Sequence, residues 1–353
     1  MKRKLLIAVP LLALVALTAW FFRPKHESLG EAYISEKSVT LWSSMAQVRE
    51  PLGLLRYGER VDTLAKRNDF VKVKTGAGAV GWVDGRLLMD PALWQRCQEL
   101  LKRAESLPVQ ASGRTKVATN LRVEPGRTAP RLYQFGRGVA VQIVARGTAD
   151  WVQAPDEKES SEPQEARRED WFLIRAVATR PPGERSARTA VPPATTEPGD
   201  QNVPIAGWVI ARFLELDLPD PVREGASSAN LRPIAWFELN EVEDPSGRKP
   251  QYLLAAARGP EGQGCDFAVL RVYTWNRKKS RYETAFIENG LCGKLPIRVG
   301  KSAAGQPEFH FADQVDGGKE RLYRLIQTVV RRVHEGDQAG QSVRSTGTRA
   351  RGR

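Results

Sequence analysis

One phrase of the sequence occurs twice. Residues 81–88 read Gly-Trp-Val-Asp-Gly-Arg-Leu-Leu, and residues 207–214 read Gly-Trp-Val-Ile-Ala-Arg-Phe-Leu. In both phrases an arginine follows the glycine by five residues, and apolar residues come next. A match of this kind is hard to obtain twice by chance, so the chain contains an internal repeat.

The similarity extends upstream of both phrases. The first copy has an apolar run at 39–41 and a glycine-containing segment at 55–61, and the second copy has comparable segments at 120–123 and 132–139. Each copy is thus a series of short β-branched or aromatic runs that Gly, Pro and Asp separate. This pattern predicts a small β barrel for each copy.

The second copy resembles the bacterial SH3-like domain family. It has Leu-Arg-Val-Glu-Pro-Gly at 121–126, Phe135-Gly136, an aromatic strand at 171–174 and the closing Gly-Trp-Val strand at 207–209. Within the range 113–217, these are the segments that carry the resemblance. They imply an SH3-like barrel.

The first copy, at 33–90, is similar to the same family with two departures. Leu41-Trp42 stands where Leu-Arg is expected, and residues 70–73 read Phe-Val-Lys-Val where the family often has Trp. The resemblance implies recognition of peptides or cell-wall material by such domains, although a fold alone does not fix the ligand.

The N-terminus, residues 1–26, predicts a membrane segment. Lys2, Arg3 and Lys4 precede an apolar stretch from Leu5 to Phe22, and roughly 18 apolar residues are the lower range of a membrane-spanning helix. We expect an uncleaved signal anchor, with the rest of the chain extracytoplasmic. A cleaved secretory signal is the alternative, and it exports the rest equally.

Three cysteines are present. Cys265 and Cys292 share a strand-rich region, whereas Cys97 lies in a segment with helical periodicity. This distribution predicts a Cys265–Cys292 disulfide, as exported proteins often have. Two buried free thiols are the alternative.

The net charge is +13. Basic and acidic residues alternate along the chain without a basic, aromatic-interleaved stretch, which argues against a nucleic-acid partner. A basic exported surface fits anionic envelope material. We therefore expect peptidoglycan or an envelope protein as the partner.

Composition also defines the remaining segments. An amphipathic linker helix is predicted at 91–107, and two polar or Pro-rich stretches, 154–170 and 179–204, are predicted to be disordered insertions in the second repeat domain. Residues 231–333 predict an antiparallel β domain, a meander or one or two propeller-like blades, in which 321–333 is either a strand or a helix. Residues 334–353 predict a disordered basic tail.

Catalytic and metal-binding groups are sparse. Cys265 with His310 is the one Cys–His pair worth weighing as a nucleophile and base, and a disulfide explains Cys265 better. Three scattered His and three scattered Cys do not have the spacing of metal ligands. We therefore expect no catalytic residue, metal or cofactor.

The tryptophans divide into two groups. Trp82 and Trp208 follow Gly on the closing strand of each copy, where core packing is expected. Trp42 and Trp151 flank loops, where packing or stacking on a sugar or peptide is possible. We take Trp42 and Trp151 as the candidate ligand-binding residues.

These inferences predict an all-β protein with an N-terminal transmembrane helix, two small SH3-like barrels joined by an amphipathic helix, and a C-terminal antiparallel β domain. The expected function is that of a membrane-anchored extracytoplasmic binding or scaffolding protein, not an enzyme. The alternative is a cell-wall hydrolase whose site lies in the C-terminal domain.

Overall fold

The computed structural model describes residues 29–152, 167–178 and 203–334. They form an all-β structure of three seven-stranded antiparallel sheets, with two α-helices and three short 3-10 helices. The chain divides into two compact units, one up to Trp94 and one from Gln95 onward.

The fold class predicted from the sequence is wrong in one respect, its transmembrane helix. No helix in the three described ranges is long and apolar enough to cross a membrane. The longest of them, Pro91–Ser106, has 16 residues and carries several charged side chains. The segment from which the span was predicted, Leu5 to Phe22, lies outside the described residues, as does the predicted tail from residue 335 on.

The first repeat sheet belongs to the unit that ends at Trp94. Its strands are β1 (Gly30–Ile34), β2 (Ser38–Trp42), β3 (Pro51–Arg56), β4 (Arg60–Arg67), β5 (Phe70–Thr75), β6 (Val80–Asp84) and β7 (Leu88–Met89). Their order across the sheet is β3-β2-β6-β5-β4-β1-β7. Alternating apolar residues face a core that includes Ile34, Leu41, Val73 and Val83.

The linker helix, α1, spans Pro91–Ser106. Asp90 starts it, because its carboxylate accepts the backbone N–H of Leu93 at 2.7 Å and thus satisfies one of the free donors of the first turn. In the first unit, Trp94 stacks on Tyr33 with ring centres 5.1 Å apart. In the second unit, Cys97 is among the buried residues of α1.

The second repeat sheet has the same strand order as the first, with every label raised by seven. Its strands are β8 (Ala111–Thr115), β9 (Thr119–Arg122), β10 (Arg131–Phe135), β11 (Ala140–Asp150), β12 (Arg168–Ala178), β13 (Val203–Ile210) and β14 (Leu214–Leu216). The order is β10-β9-β13-β12-β11-β8-β14. In both sheets a 3-10 turn, Gly85–Leu87 or Ala211–Phe213, precedes the last strand.

The glycine of each Gly-Trp-Val phrase explains part of the repeated sequence. A Cβ atom on Gly81 would lie 2.7 Å from Leu41 Cγ, and a Cβ atom on Gly207 would lie 2.5 Å from Leu121 Cγ. Both distances are shorter than any tolerable carbon–carbon contact. The close approach of β6 to β2, and of β13 to β9, therefore requires glycine.

Two strands of the second repeat sheet begin inside the ranges predicted as insertions. β12 starts at Arg168, and β13 starts at Val203. Composition did not indicate this, because Glu169 and Asp170 are acidic residues that are buried in ion pairs. The remaining insertion residues, 153–166 and 179–202, lie outside the described residues.

The C-terminal sheet is a meander. Its strands are β15 (Arg232–Val242), β16 (Lys249–Ala257), β17 (Phe267–Asn276), β18 (Arg281–Lys301), β19 (Pro307–Asp313), β20 (Lys319–Ile326) and β21 (Val329–Val333). They follow one another in chain order across the sheet. Residues 321–333 are thus strands, and a single sheet of seven replaces the propeller-like blades of the prediction.

Two groups of side chains pack on the C-terminal sheet. On one face, helix α2 (Asp220–Ser228) packs Val222 and Ala226 in a cluster with Leu254 and Tyr273. Elsewhere in the sheet, aromatic rings from β19 and β20 stack. The ring centres of Phe309 and Tyr323 are 5.1 Å apart.

Candidate functional site

Trp42 and Trp82 lie opposite each other on adjacent strands of the first repeat sheet. Side chains alternate between the two faces of a strand, and Leu41 and Val83 point into the core. Trp42 and Trp82 therefore lie together on the outer face, where both are half-buried. The structure differs here from the prediction that Trp82 fills the core.

A third aromatic ring and two cations extend this outer face. The Arg49 guanidinium carbon lies 4.3 Å from the ring centre of Trp42 and 5.6 Å from that of Phe70. Lys72 pairs in register with Trp82. We call this surface, formed by Arg49, Trp42, Phe70, Lys72 and Trp82, the aromatic face.

The aromatic face continues to an open edge of the sheet. β3 is the edge strand, and it pairs with β2 so that Leu54 lies opposite Thr40. Leu54 is 67% exposed and Leu52 is 48% exposed. These exposed leucines add apolar surface on the strand next to β2, and exposed apolar patches often mark binding surfaces.

Most of the equivalent face of the second repeat sheet is buried. Register places Trp208 opposite Leu173 and Trp171 opposite Ile210, where the first sheet has Trp82 opposite Lys72 and Phe70 opposite Asp84. Trp171, Leu173 and Trp208, the counterparts of Phe70, Lys72 and Trp82, are buried, and so is Ile210. The counterpart of Trp42 is Arg122, which pairs with Trp208 and is half-buried. The residues opposite the aromatic rings are thus polar in the first sheet, Lys72 and Asp84, and apolar in the second, Leu173 and Ile210.

Trp208 owes its burial partly to a glycine. A Cβ atom on Gly147 would lie 2.9 Å from the Trp208 ring and 3.1 Å from Pro125. The ring therefore packs closely against β11 at Gly147, where no side chain would fit. Trp208 is a packing residue, as the sequence predicted, although it lies on the face opposite the one that Val209 occupies.

A buried ion cluster links the second repeat sheet to the C-terminal domain within the second unit. The Arg146 guanidinium donates to Asp170 and, at 3.3 Å, to Asp266. It also donates to the backbone carbonyls of Gln263 and Cys265. Side chains of Arg146 and Asp170 are each 1% exposed. Because both charges are buried, loss of either partner would leave an uncompensated charge in the interior.

Gln110 forms a second link in the same unit. Its amide oxygen accepts the N–H of Ile297 at 2.8 Å, and its amide nitrogen donates to the carbonyl of Ile297 at 3.1 Å. Gln110 is completely buried. Gln110, which directly precedes β8, therefore ties the second repeat sheet to β18 of the C-terminal sheet.

Trp151, the other tryptophan proposed for ligand binding, lies beside a charged cluster. The Arg127 guanidinium is 5.5 Å from its ring centre and also forms two hydrogen bonds with the Glu169 carboxylate. Arg212 donates to the same carboxylate at 2.5 Å. Burial raises the pKa of Glu169, but the hydrogen bonds from both arginines outweigh it, and the pKa lies below its ordinary value.

The residues weighed for catalysis do not form a catalytic pair. Cys265 and Cys292 form the predicted disulfide, with Cα atoms 4.7 Å apart, so Cys265 has no free thiol. His310 Nδ1 lies 2.6 Å from a Glu320 carboxylate oxygen. In the described ranges, no three His, Cys, Asp or Glu side chains are close enough to hold a metal ion.

Sequence reasoning missed the aromatic face as a unit. Trp82 and Phe70 lie on strands that alternate with inward valines, and that alternation was the available signal for their outward direction. Arg49 gave no signal, because its position over Trp42 depends on the turn between β2 and β3. The sequence gave no signal for the ion pairs of Arg146 either, because Asp266 is 120 residues away along the chain.

Comparisons with known proteins add little. No family model matches the chain, and no curated protein matches it. Among solved structures, NlpC2 from Trichomonas vaginalis is 8% identical, with a TM-score of 0.16 over 86% of this chain and 91% of that chain. NlpC1 from the same organism is 10% identical, with a TM-score of 0.17 over 74% and 92%. TM-scores this low do not indicate a shared fold.

Proposed function

We propose that the chain is a binding protein of the cell envelope and that the aromatic face of the first repeat sheet is its recognition surface. The observation that carries this proposal is the contrast between the two repeats. The positions of Phe70, Lys72 and Trp82 are half-buried in the first sheet, and their counterparts Trp171, Leu173 and Trp208 are buried in the second. A surface that one copy uses for packing is thus left accessible in the other.

The chemistry of the aromatic face defines the class of ligand. Trp42 and Trp82 are cross-strand neighbours, so their rings can contact one extended segment at the same time. Aromatic rings stack on sugar faces and on the apolar parts of peptides. Arg49 and Lys72 add two cations. An extended anionic polymer, peptide or glycan, satisfies both features.

The proposal includes an extracytoplasmic location. The disulfide supports it, because such bonds persist in oxidising compartments and are rare in the cytosol. The resemblance of both repeats to the bacterial SH3-like domain family supports the envelope as the place of action. With Cys265 in a disulfide, the Cys–His hydrolase considered from the sequence has no nucleophile.

Co-sedimentation with purified peptidoglycan sacculi tests the proposal. We expect the full chain to be retained and Trp42→Ala with Trp82→Ala to lower its affinity by on the order of tenfold or more, since each ring loses its stacking contact. Trp151→Ala is the matched control, because Arg127 above this ring is already held by Glu169. Equal retention of the double variant and the unaltered chain would contradict the proposal.

A further inference from the structure

Three arginines lie close together on the second repeat sheet, at the position that Trp42 occupies in the first. Arg122 is the counterpart of Trp42, and on the neighbouring strand β10 it lies directly opposite Arg131. Arg127 belongs to the loop between these two strands. All three arginines are half-buried. We call Arg122, Arg127 and Arg131 the arginine cluster.

The strand register places Arg122 and Arg131 side by side. Residues directly opposite each other in an antiparallel pair have Cβ atoms about 4.5–5.5 Å apart on the same face of the sheet. Like charges at such a position destabilise the pair of strands. This arrangement therefore favours a bound negative charge next to both guanidinium groups.

The loop between β9 and β10 brings the third arginine to the same place. Arg122 Nη1 donates to the carbonyl of Ala129, and the N–H of Ala129 donates to the carbonyl of Gly126. The Arg122 guanidinium thus lies beside the turn that carries Arg127. Burial lowers the pKa of Arg122, and the charges of Arg131 and Arg127 lower it further. The three cations are therefore close enough to repel one another.

The carboxylate at the edge of the cluster is engaged elsewhere. Glu169 accepts hydrogen bonds from Arg127 at 3.0 and 2.8 Å and from Arg212 at 2.5 Å. Arg122, in contrast, bonds to a neutral carbonyl, and it belongs to no ion pair among the described residues. Glu169 therefore positions Arg127 but does not compensate the charge of Arg122.

An apolar residue lies on the other side of Arg122. Its neighbour on β13 is the buried Trp208, and Pro125 approaches the same point on β11 as the Trp208 ring. Electrostatic attraction is stronger beside apolar groups than in open water, because the effective dielectric constant is lower there. An anion between Arg122 and Arg131 would benefit from this environment.

The type of cation indicates the type of anion. All three members of the cluster are arginines, and a planar guanidinium donates in pairs to the oxygens of phosphate or carboxylate groups. A carboxylate has one charge and two oxygens. A phosphate monoester has a charge of about −1.5 to −2 at pH 7 and three strong acceptor oxygens, so it can accept from several guanidinium groups at once. Several converging arginines thus match phosphate better than carboxylate.

We propose that the arginine cluster binds a dianionic phosphate, either inorganic phosphate or a phosphate monoester. Its oxygens accept hydrogen bonds from Arg122 and Arg131, and its charge offsets the repulsion between them. Arg127, held by Glu169, adds a third positive charge at the edge of the site. The site belongs to the second repeat sheet and does not rest on ligand binding at the aromatic face.

Calorimetric titration of the full chain in a phosphate-free buffer of constant ionic strength tests this inference. We expect inorganic phosphate to bind, and acetate to bind at least about tenfold more weakly, because it has one charge and two oxygens. Glycerol 3-phosphate distinguishes the two sources of phosphate. Tighter binding than that of inorganic phosphate indicates a monoester as the ligand, and weaker binding indicates the free ion.

The pH dependence gives a second measurement on the same chain. The second pKa of a phosphate monoester is about 6, whereas arginines remain charged throughout this range. The affinity for glycerol 3-phosphate should therefore fall when the pH is lowered from about 7.5 to about 5. The affinity for acetate should not show this decrease near pH 6.

Four variants locate the site. Arg131→Gln and Arg122→Gln should each lower the affinity for inorganic phosphate by about tenfold or more. Arg122→Lys keeps the charge but loses the planar pair of donors, so it should also bind more weakly. Arg137→Gln is the matched control, because it removes the same charge from an exposed position of this repeat, and its affinity should be unchanged. Melting temperatures check that each variant is folded.

The site is also separable from the proposed function. The Trp42→Ala and Trp82→Ala double variant should bind inorganic phosphate as tightly as the unaltered chain. Absence of binding heat with inorganic phosphate in the folded, unaltered chain would overturn the inference, and so would equal affinities for phosphate and acetate. An equal loss of affinity in Arg137→Gln and Arg131→Gln would show attraction by overall charge instead of a site.

Discussion

Trp82 and Trp208 occupy equivalent positions in two sheets of identical strand order, yet Trp82 is half-buried on an open face and Trp208 is 7% exposed. The position of a tryptophan in a repeat therefore does not fix its role. The polarity of the residue opposite on the neighbouring strand differs between the two sheets. Trp82 lies opposite the charged Lys72, whereas Trp208 lies opposite the apolar Leu173.

This difference predicts unequal costs of truncation. Trp208→Ala should lower the free energy of unfolding by about 3–5 kcal/mol, as for other buried aromatic residues. Trp82→Ala should cost only ~1–2 kcal/mol, because part of this residue is exposed and less apolar area is lost from the interior. Urea unfolding followed by circular dichroism measures both. Equal costs would show that Trp82 packs in the core.

The two repeat glycines should tolerate no side chain. Gly81→Ala and Gly207→Ala each force a Cβ atom onto a buried leucine, and such overpacking typically costs about 1–3 kcal/mol. Gly53→Ala and Gly136→Ala are the matched controls, since a Cβ atom at either meets nothing within 4 Å. The account is contradicted if the controls and the repeat glycines give the same melting temperature.

Arg146 should be the most sensitive ionic residue of the second unit. Arg146→Ala removes the buried cation that Asp170 and Asp266 share, and breaking a buried pair costs about 3–5 kcal/mol. Arg114→Ala removes an exposed ion pair with Asp217 and should cost less than about 1 kcal/mol. Chemical denaturation separates the two, and similar costs would refute the central role of Arg146.

Acid should destabilise the second unit through Glu169. Its pKa in the folded chain lies below the ordinary 4.5, so the unfolded chain binds a proton first as the pH falls. The stabilisation that Glu169 provides is therefore complete above pH 4.5 and is lost as the pH falls through its folded pKa. Melting temperatures measured from neutral to acidic pH should show a smaller decline for Glu169→Gln. The exposed-helix variant Glu99→Gln serves as the control and should follow the unaltered chain.

The disulfide should stabilise the C-terminal domain. Cys265 and Cys292 are separated by 27 residues, and closing a loop of this size is worth about 3–4 kcal/mol in the chain-entropy description. Cys265→Ser with Cys292→Ser should lose that amount, and reduction of the unaltered chain should reproduce the loss. A double variant as stable as the oxidised chain would show that the bond does not contribute.

Local sequence patterns predicted most of the strands but little of the candidate site. The Gly-Trp-Val phrase indicated the repeat because both copies have the same steric requirement. A side chain on the glycine would collide with Leu41 in the first copy and with Leu121 in the second. The cysteine pair was predictable because both members lie in one strand-rich segment. These features depend on residues close together in the sequence or on a single steric requirement.

The features that the sequence did not indicate depend on long-range packing. Asp170 looked like part of a polar insertion because its partners, Arg146 and Arg232, come from two different sheets. Whether Trp82 is open or covered likewise depends on the polarity of the whole face, which a single strand does not reveal.

Hydrogen–deuterium exchange of the full chain, with and without solubilised peptidoglycan fragments, tests the central claim most directly. The account predicts slower exchange in β2, β5 and β6 of the first repeat sheet, and no change in the equivalent strands β9, β12 and β13. Binding of the fragments with unchanged exchange in β2, β5 and β6 would contradict it.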